Sequence, residues 1–345
     1  MKPKPTVLLV EKIHPKYLAL LEQRTRIVRP QGYDEDSLAA LAATEQIDAI
    51  VIRTKGCVTQ KIIAASPRLK VVARHGIGVD HIDIPAATAA GVWVVNTPAG
   101  SRVAVAEHTW SMILALAKHT VAGDKAVREG NFGFRESCKS LQLEGKTLGI
   151  LGLGRIGTTV ATTAVRGFGM KVLYTDIVRY RAKERRLGAQ KVPLRALLSR
   201  SDVVSVHTPL DESTRGLIGA RELGWLKPTA LFLNCARGAI VDALAVGRAL
   251  EAGRLAGAAF DVFVPEEPPL DHPLLLSRKT VLSPHSAAQT AEANLAYAAV
   301  IEDVFRVLAG KRPVWPVNNI QGPVVGQAFQ PVRTAWKGCP TCTSG

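Results

Sequence analysis

The stretch Thr147-Leu148-Gly149-Ile150-Leu151-Gly152-Leu153-Gly154-Arg155-Ile156-Gly157 sets an apolar strand directly ahead of a G-x-G-x-x-G turn. The run from Thr158 to Arg166 has a helical pattern, with Gly167 expected to stop it. In such a turn Gly152 makes the tight bend, Gly154 lets the backbone approach a pyrophosphate, and Gly157 allows the helix to pack closely on its strand. A phosphate placed there meets unpaired N–H groups and the positive end of the helix dipole. Context strengthens the motif. A second strand, Lys171 to Thr175, ends in Asp176, 19 residues after Gly157. A carboxylate at that spacing accepts hydrogen bonds from both hydroxyls of an adenosine ribose and repels a 2′-phosphate. The stretch therefore predicts a dinucleotide site that prefers NAD to NADP, a preference tempered by Arg179.

Outward from this motif, 345 residues are too many for one ordinary core and suit two domains. The chain is 47% hydrophobic with a mean hydropathy of +0.12, so a large core is available. Only four apolar residues, Val7 to Val10, follow the N-terminal Met-Lys-Pro-Lys-Pro before Glu11, too few for the core of a signal peptide. No apolar run approaches the roughly 18 residues of a membrane span, since Trp110 to Ala117 is cut off by Lys118 and His119. Five scattered cysteines fit a reduced cytoplasm without a disulfide framework. Cys339-Pro-Thr-Cys342 has a zinc-like spacing but no second pair nearby, so no metal is expected. The net charge of +15 is spread along the chain, and aromatic residues do not interleave with basic ones. It reads as solubility and attraction of anionic ligands, not as a nucleic-acid surface.

Short apolar runs alternate with helical patterns through the first hundred residues, the rhythm of a parallel sheet covered by helices. A long, nearly all-apolar helix is expected from Ser101 to about Val121; its girth points to burial between domains or subunits, and so to a homodimer. Strand candidates after the glycine turn continue to about Pro284, and one helix pattern, Gln289 to Leu308, remains. A single helix cannot bury its own face and is expected to return to the first domain. The resulting architecture is α/β: two doubly wound parallel-sheet domains, with a Rossmann cofactor domain (101–286) inserted into a flavodoxin-like substrate domain (1–100 and 287–320), followed by a tail (321–345).

Three strand-end segments in the cofactor half carry reactive side chains: Asn234-Cys235-Ala236-Arg237-Gly238, Asp261 to Pro268 with Glu266 and Glu267, and Ser283-Pro284-His285. Hydride transfer between a nicotinamide and a hydroxyl carbon needs a proton carrier, a cation to hold a carboxylate and polarise the carbonyl, and a group that tunes the carrier. His285, Arg237 and Glu266 are the right types in the right half. In the first half, Arg53 and Lys55 leave a strand end two residues apart. If the pleat continues they project to one side, toward a second anion on the substrate.

With Gly76-Ile77-Gly78-Val79-Asp80, Asn96-Thr97-Pro98, Ala106-Glu107 and the segments above in this order, the chain resembles the D-isomer-specific 2-hydroxyacid dehydrogenases from about Val7 to Val317. The resemblance implies an Arg237, Glu266 and His285 catalytic set and an Asp261 that holds the nicotinamide carboxamide. It implies that Arg155, Ile156, Asp176, Thr208, Cys235 and Ala236 line the cofactor, and that the N–H groups of Ile77, Gly78 and Val79 bind the substrate carboxylate. The branch it is most similar to contains the phosphoglycerate dehydrogenases and the glyoxylate and hydroxypyruvate reductases, which implies 3-phosphoglycerate, with Arg53 and Lys55 at its phosphate, or else the smaller acids. His81 stands where the family often has Asn, and Glu267 where it usually has Pro. No regulatory domain for serine feedback is expected. The same fold also serves corepressors that sense NAD, an alternative of a different class.

Overall fold

The computed structural model describes residues 3–320, so the tail and its Cys339-Cys342 pair lie outside the described residues. Two compact units are present. One is built from the chain up to Ser101 and from Gln289 onward, the other from Arg102–Ala288.

The first unit holds five parallel strands, β1 (Thr6–Leu9), β2 (Arg26–Val28), β3 (Ala49–Ile52), β4 (Val71–Arg74) and β5 (Trp93–Val95), in the order β2-β1-β3-β4-β5. That is the flavodoxin-like order expected for the substrate domain. The strands read as continuous apolar runs because both faces are covered. Leu8, Ile50, Ile52, Val72 and Val94 pack on one side, and Val7, Leu9, Val51, Val71 and Val95 on the other. The second side is closed partly by Ile301, Val304 and Val307 of the helix Val300–Leu308. The expected Gln289 to Leu308 helix is in fact two, Ala291–Ala298 and Val300–Leu308, capped at its start by the Thr290 side chain.

The second unit holds seven parallel strands: β6 (Thr147–Leu151), β7 (Lys171–Thr175), β8 (Gln190–Lys191), β9 (Val203–Val206), β10 (Leu231–Asn234), β11 (Gly257–Phe260) and β12 (Thr280–Leu282). Their order is β12-β11-β10-β9-β6-β7-β8, a doubly wound Rossmann arrangement. Leu148, Ile150, Val172, Tyr174 and Leu233 face one layer; Leu151, Leu173, Val204, Val206, Phe232 and Phe260 face the other.

Three local expectations change. The helix after the glycine turn runs Arg155–Phe168, straight through Gly167, and ends at Gly169, whose left-handed φ of +59° makes the C-cap. The long helix is Arg102–Ala117 and does not continue to Val121, because His119 takes φ +54° and starts a separate helix, Thr120–Arg128. Its apolar girth needs no second subunit: Val105, Trp110, Met112, Ile113 and Leu116 are buried in the core of their own unit. Among the described cysteines, Cys138 and Cys235 are thiols whereas Cys57 is disulfide-bonded, against the expectation of thiols throughout. Among the described residues no helix is long and apolar enough to cross a membrane, and no group of three His, Cys, Asp or Glu could hold a metal ion.

Candidate active site

At the carboxyl end of the second sheet the register aligns Leu151 with Thr175 and with Val206, Val206 with Asn234, Asn234 with Phe260, and Phe260 with Leu282. The residues that follow, Gly152, Asp176, His207, Cys235, Asp261 and Ser283, therefore leave along one edge. Winding reverses between β6 and β9, and in open α/β sheets ligands bind at such a switch point.

Each glycine of the turn meets a different constraint. Gly152 has φ +91°, and a Cβ there would lie 2.8 Å from the His207 carbonyl oxygen. A Cβ on Gly157 would lie 2.1 Å from the Gly152 carbonyl oxygen. One on Gly154 would meet nothing within 4 Å, so the turn is packed at its two ends and open in the middle. The first intrahelical bond comes from the Thr158 N–H to the Gly154 carbonyl, which leaves the N–H groups of Arg155, Ile156 and Gly157 outside the helix ladder. Asp176 accepts from the Leu153 N–H at 2.8 Å and the Val178 N–H at 3.0 Å, one per oxygen, so each oxygen retains a lone pair. Arg179, placed to blunt the repulsion of a 2′-phosphate, is instead paired with Glu184 at 3.2 Å. Beside the turn, the Thr208 hydroxyl oxygen is buried without a hydrogen-bond partner. An open glycine, unpaired helix-start amides and an orphaned hydroxyl fit a dinucleotide phosphate bridge, which supplies acceptors to donors that the chain leaves unused.

Arg237, Glu266 and His285 come from three neighbouring strand ends. Gly238 allows the first two segments to close up: a Cβ there would lie 2.4 Å from the Phe263 carbonyl carbon. Buried Asn234 fixes the arginine turn, donating to the Arg237 carbonyl at 2.9 Å and accepting from the Ala236 N–H at 3.0 Å. His285 Nδ1 is hydrogen-bonded to Glu266 Oε1, and its Nε2 has no partner among the described residues. The histidine backbone is strained, with φ +50°, and is held there by N–H bonds to the carbonyls of Asp261 (2.7 Å) and Ser283 (3.1 Å).

Asp261 does more in this segment than the sequence suggests. It is buried, and its Oδ1 accepts from Ser283 Oγ at 2.6 Å and the Ser286 N–H at 2.8 Å, while Oδ2 accepts from the Ala287 N–H at 3.1 Å. His108 Nε2 adds a contact to Ser283 Oγ at 2.9 Å. His108 carries no local signal, because it acts on a segment 175 residues away, whereas Asn234 acts within the Asn234 to Gly238 segment itself. Cys235 is buried, and burial, with the Asp261 charge adding, pushes its thiol up to about 12, so it is a packing residue and not a nucleophile.

In the first unit the loop from Gly76 has an uneven hydrogen-bond pattern. Its carbonyls are taken: Arg74 donates to His75 O (3.0 Å) and Gly78 O (2.6 Å), Asn96 to Ile77 O (2.8 Å), and the Thr97 N–H to Gly76 O (3.1 Å). The N–H groups of Ile77, Gly78 and Val79 have no acceptor among the described residues. Three successive open amides form a concavity suited to a carboxylate. His75 beside them is buried with neither ring nitrogen partnered, and burial, aided by Arg53 and Arg74 against Glu11, lowers its pKa to about 4. Arg53 and Lys55 do not share a pleated face, because the strand ends at Ile52 and the loop instead wraps around Glu11. That carboxylate accepts from the N–H groups of Arg53 (3.0 Å), Thr54 and Lys55 (3.0 Å). The Arg53 guanidinium reaches Gln289 Oε1 at 2.8 Å, and the Lys55 amine lies 4.7 Å over the Tyr33 ring.

Residues 110–287 match the family pattern for the D-isomer specific 2-hydroxyacid dehydrogenase, NAD binding domain. The chain is 38% identical over 328 residues to the D-3-phosphoglycerate dehydrogenase of Mycobacterium tuberculosis, covering 95% of this chain and 61% of that protein. To the glyoxylate reductase of Aeropyrum pernix it is 38% identical over 330 residues, 92% of this chain and 96% of that one. It thus spans about three-fifths of the length of the phosphoglycerate dehydrogenases it matches. Among solved structures, the apo D-mandelate dehydrogenase of Rhodotorula graminis superposes with a TM-score of 0.84 at 26% identity, covering 93% of this chain and 100% of that one. A glyoxylate reductase from Paecilomyes thermophila does so with 0.82 at 28% identity, covering 92% and 99%. The chain belongs to the family of D-isomer-specific 2-hydroxyacid dehydrogenases, and its cofactor domain is of the NAD-binding type.

Proposed function

We propose that the chain is an NAD-dependent D-2-hydroxyacid dehydrogenase that moves a hydride between NAD(H) and a small 2-hydroxy or 2-oxo acid. The observation that carries this reading is the His285–Glu266 pair, held on a strained segment at the same sheet edge as the glycine turn. Bound NAD supplies the hydride acceptor, or NADH the donor. The start of the helix Arg155–Phe168 would hold the pyrophosphate, with Thr208 Oγ1 as a further donor, Asp176 would take the ribose hydroxyls, and Asp261 would hold the carboxamide. His285 Nε2 gives a proton to the carbonyl oxygen in reduction and removes it from the hydroxyl in oxidation, while Glu266 stabilises the imidazolium. Arg237 holds the carboxylate and polarises the carbonyl, and the amides of Ile77 to Val79 add to carboxylate binding.

For substrate, 3-phosphoglycerate with its 2-oxo partner 3-phosphohydroxypyruvate is the first reading, with Arg53 meeting the phosphate. Glyoxylate or hydroxypyruvate reduction is the second, favoured by the engagement of Arg53 with Gln289 and of Lys55 with Tyr33. A panel of 2-oxo acids with NADH decides between them. Rapid turnover of the phosphorylated acid, reduced about ten- to a hundredfold in Arg53→Ala, supports the first; an inert phosphorylated acid beside a fast glyoxylate or hydroxypyruvate overturns it. Tight NADH binding without turnover of any acid would overturn the enzyme reading in favour of an NAD-sensing scaffold. The active form is proposed to be a homodimer whose contact includes exposed Val121, Val127 and Phe132. Light scattering at 36.9 kDa would exclude it.

A further inference from the structure

Along the helix Arg155–Phe168 lies a cavity of about 450 Å³ walled by Arg102, Arg155, Arg166, Lys183 and Arg186 and floored by threonines of the same helix. No carboxylate lines it. Among the described residues none of the five cations forms an ion pair. Two are oriented by neutral partners: Arg102 donates to Thr159 Oγ1 at 3.2 Å, and Lys183 donates to the Leu153 carbonyl at 2.6 Å while lying 3.6 Å from the centre of the Tyr180 ring. These contacts fix the charges in place and neutralise none of them.

The floor contributes little recognition of its own. The Thr159 and Thr163 hydroxyls donate to carbonyls one turn back, at 3.1 and 3.3 Å. Attraction therefore comes from the cations. They strain one another: the Lys183 amine is lowered by burial and, against the opposing charge of Asp176, by Arg186 and Arg155. An anion entering the cavity relieves that repulsion.

Spacing selects the kind of anion. Arg155 and Arg166 are 11 residues apart on one helix, three turns, so they share a face about 16 Å long. The five cations along that face exceed the charge of one phosphate, whereas a chain of phosphates, charged at every group, matches them. No aromatic side chain lines the wall, so there is no platform on which a base would stack.

We propose that this cavity binds an oligophosphate, a linear chain of three or more phosphate groups, free or as the tail of a nucleotide, beside the glycine-turn dinucleotide site, with which it shares Arg155 at one end. Isothermal titration of the full-length chain, saturated with NADH, with inorganic triphosphate tests this. The expected result is one saturable site per chain whose affinity falls with added salt. In Arg166→Ala/Arg186→Ala that affinity falls about tenfold or more while the Kd for NADH stays the same. Orthophosphate should bind far more weakly, and adenosine triphosphate about as tightly as triphosphate. The proposal is overturned by the absence of saturable binding, by equal affinity in the double variant, or by orthophosphate binding as tightly as triphosphate. Binding to the NADH-free chain alone would place the ligand in the dinucleotide site and also overturn it. Binding of a DNA duplex through the same arginines with triphosphate inert would reassign the surface to nucleic acid.

Discussion

Replacing Gly154 with alanine separates a glycine that faces a ligand from one that only packs. Its backbone has φ −67°, which needs no left-handed conformation, and its new methyl would meet no atom within 4 Å. Gly154→Ala should therefore leave the unfolding free energy within about 1 kcal/mol of the parent. Gly157→Ala is the control. Its methyl would lie 2.1 Å from the Gly152 carbonyl oxygen and 3.1 Å from Ile150 Cγ2, both in packed surroundings, so overpacking should cost about 1–3 kcal/mol or more. The methyl at Gly154 does its harm only when a pyrophosphate needs that space. Displacing the phosphate by a fraction of an ångström weakens or removes a charge-assisted bond from the helix-start amides, about 1.5–3 kcal/mol. The Kd for NADH should then rise about 10- to 100-fold. Urea unfolding and a fluorescence titration with NADH measure the two effects on the same preparation. An unchanged Kd in Gly154→Ala refutes the assigned path of the cofactor. A variant as unstable as Gly157→Ala refutes the distinction between the two glycines.

Arg237→Ala should lose several powers of ten in kcat/KM, because it misplaces the acid, while the Kd for NADH is retained; an equal collapse of NADH affinity would mark Arg237 as a cofactor or folding residue. Glu266→Gln, which removes the carboxylate paired with His285 Nδ1, should lower kcat/KM about tenfold or more while the Kd for NADH is retained, and unchanged turnover would pass the partnership to Glu267. His75 gives a stability prediction. Its folded pKa of about 4 lies below the ordinary 6.5, so the unfolded chain binds the extra proton first, and stability present above pH 6.5 is lost as pH falls toward 4. Between pH 7.5 and 5.0 that loss is about 2 kcal/mol. His75→Leu should remove that part of the pH dependence in urea unfolding; an equal slope in both proteins would show that the ring is protonated when folded.

Much of this architecture was legible in the sequence because the signals are local. A buried parallel strand is a short apolar run, and Asp176 is found by counting from the glycine turn. Local signals fail where two neighbouring residues offer the same choice, as with Gly167 and Gly169, and only the backbone conformation at Gly169 decides the helix end. They fail again at Lys118 and His119, where one positive φ divides a pattern that reads as a single helix. The larger omissions are long-range. Glu11 gathers the amides of residues 53–55 from 42 to 44 positions away, and Asp261 gathers Ser283, Ser286 and Ala287 from 22 to 26 positions away. In both units a carboxylate from one strand end organises the loop leaving another through backbone N–H or hydroxyl donors. A hydrogen bond from a backbone N–H is available at every residue but proline, so it leaves no residue type to recognise at its far end. The same argument explains the loop after Gly76. Its proposed role in holding a carboxylate rests on three amides without acceptors among the described residues, where Arg74 and Asn96 take the neighbouring carbonyls and fix the chain. Sequence reading finds the glycines that permit such a loop; the donors that remain open can be counted only once every carbonyl has been assigned.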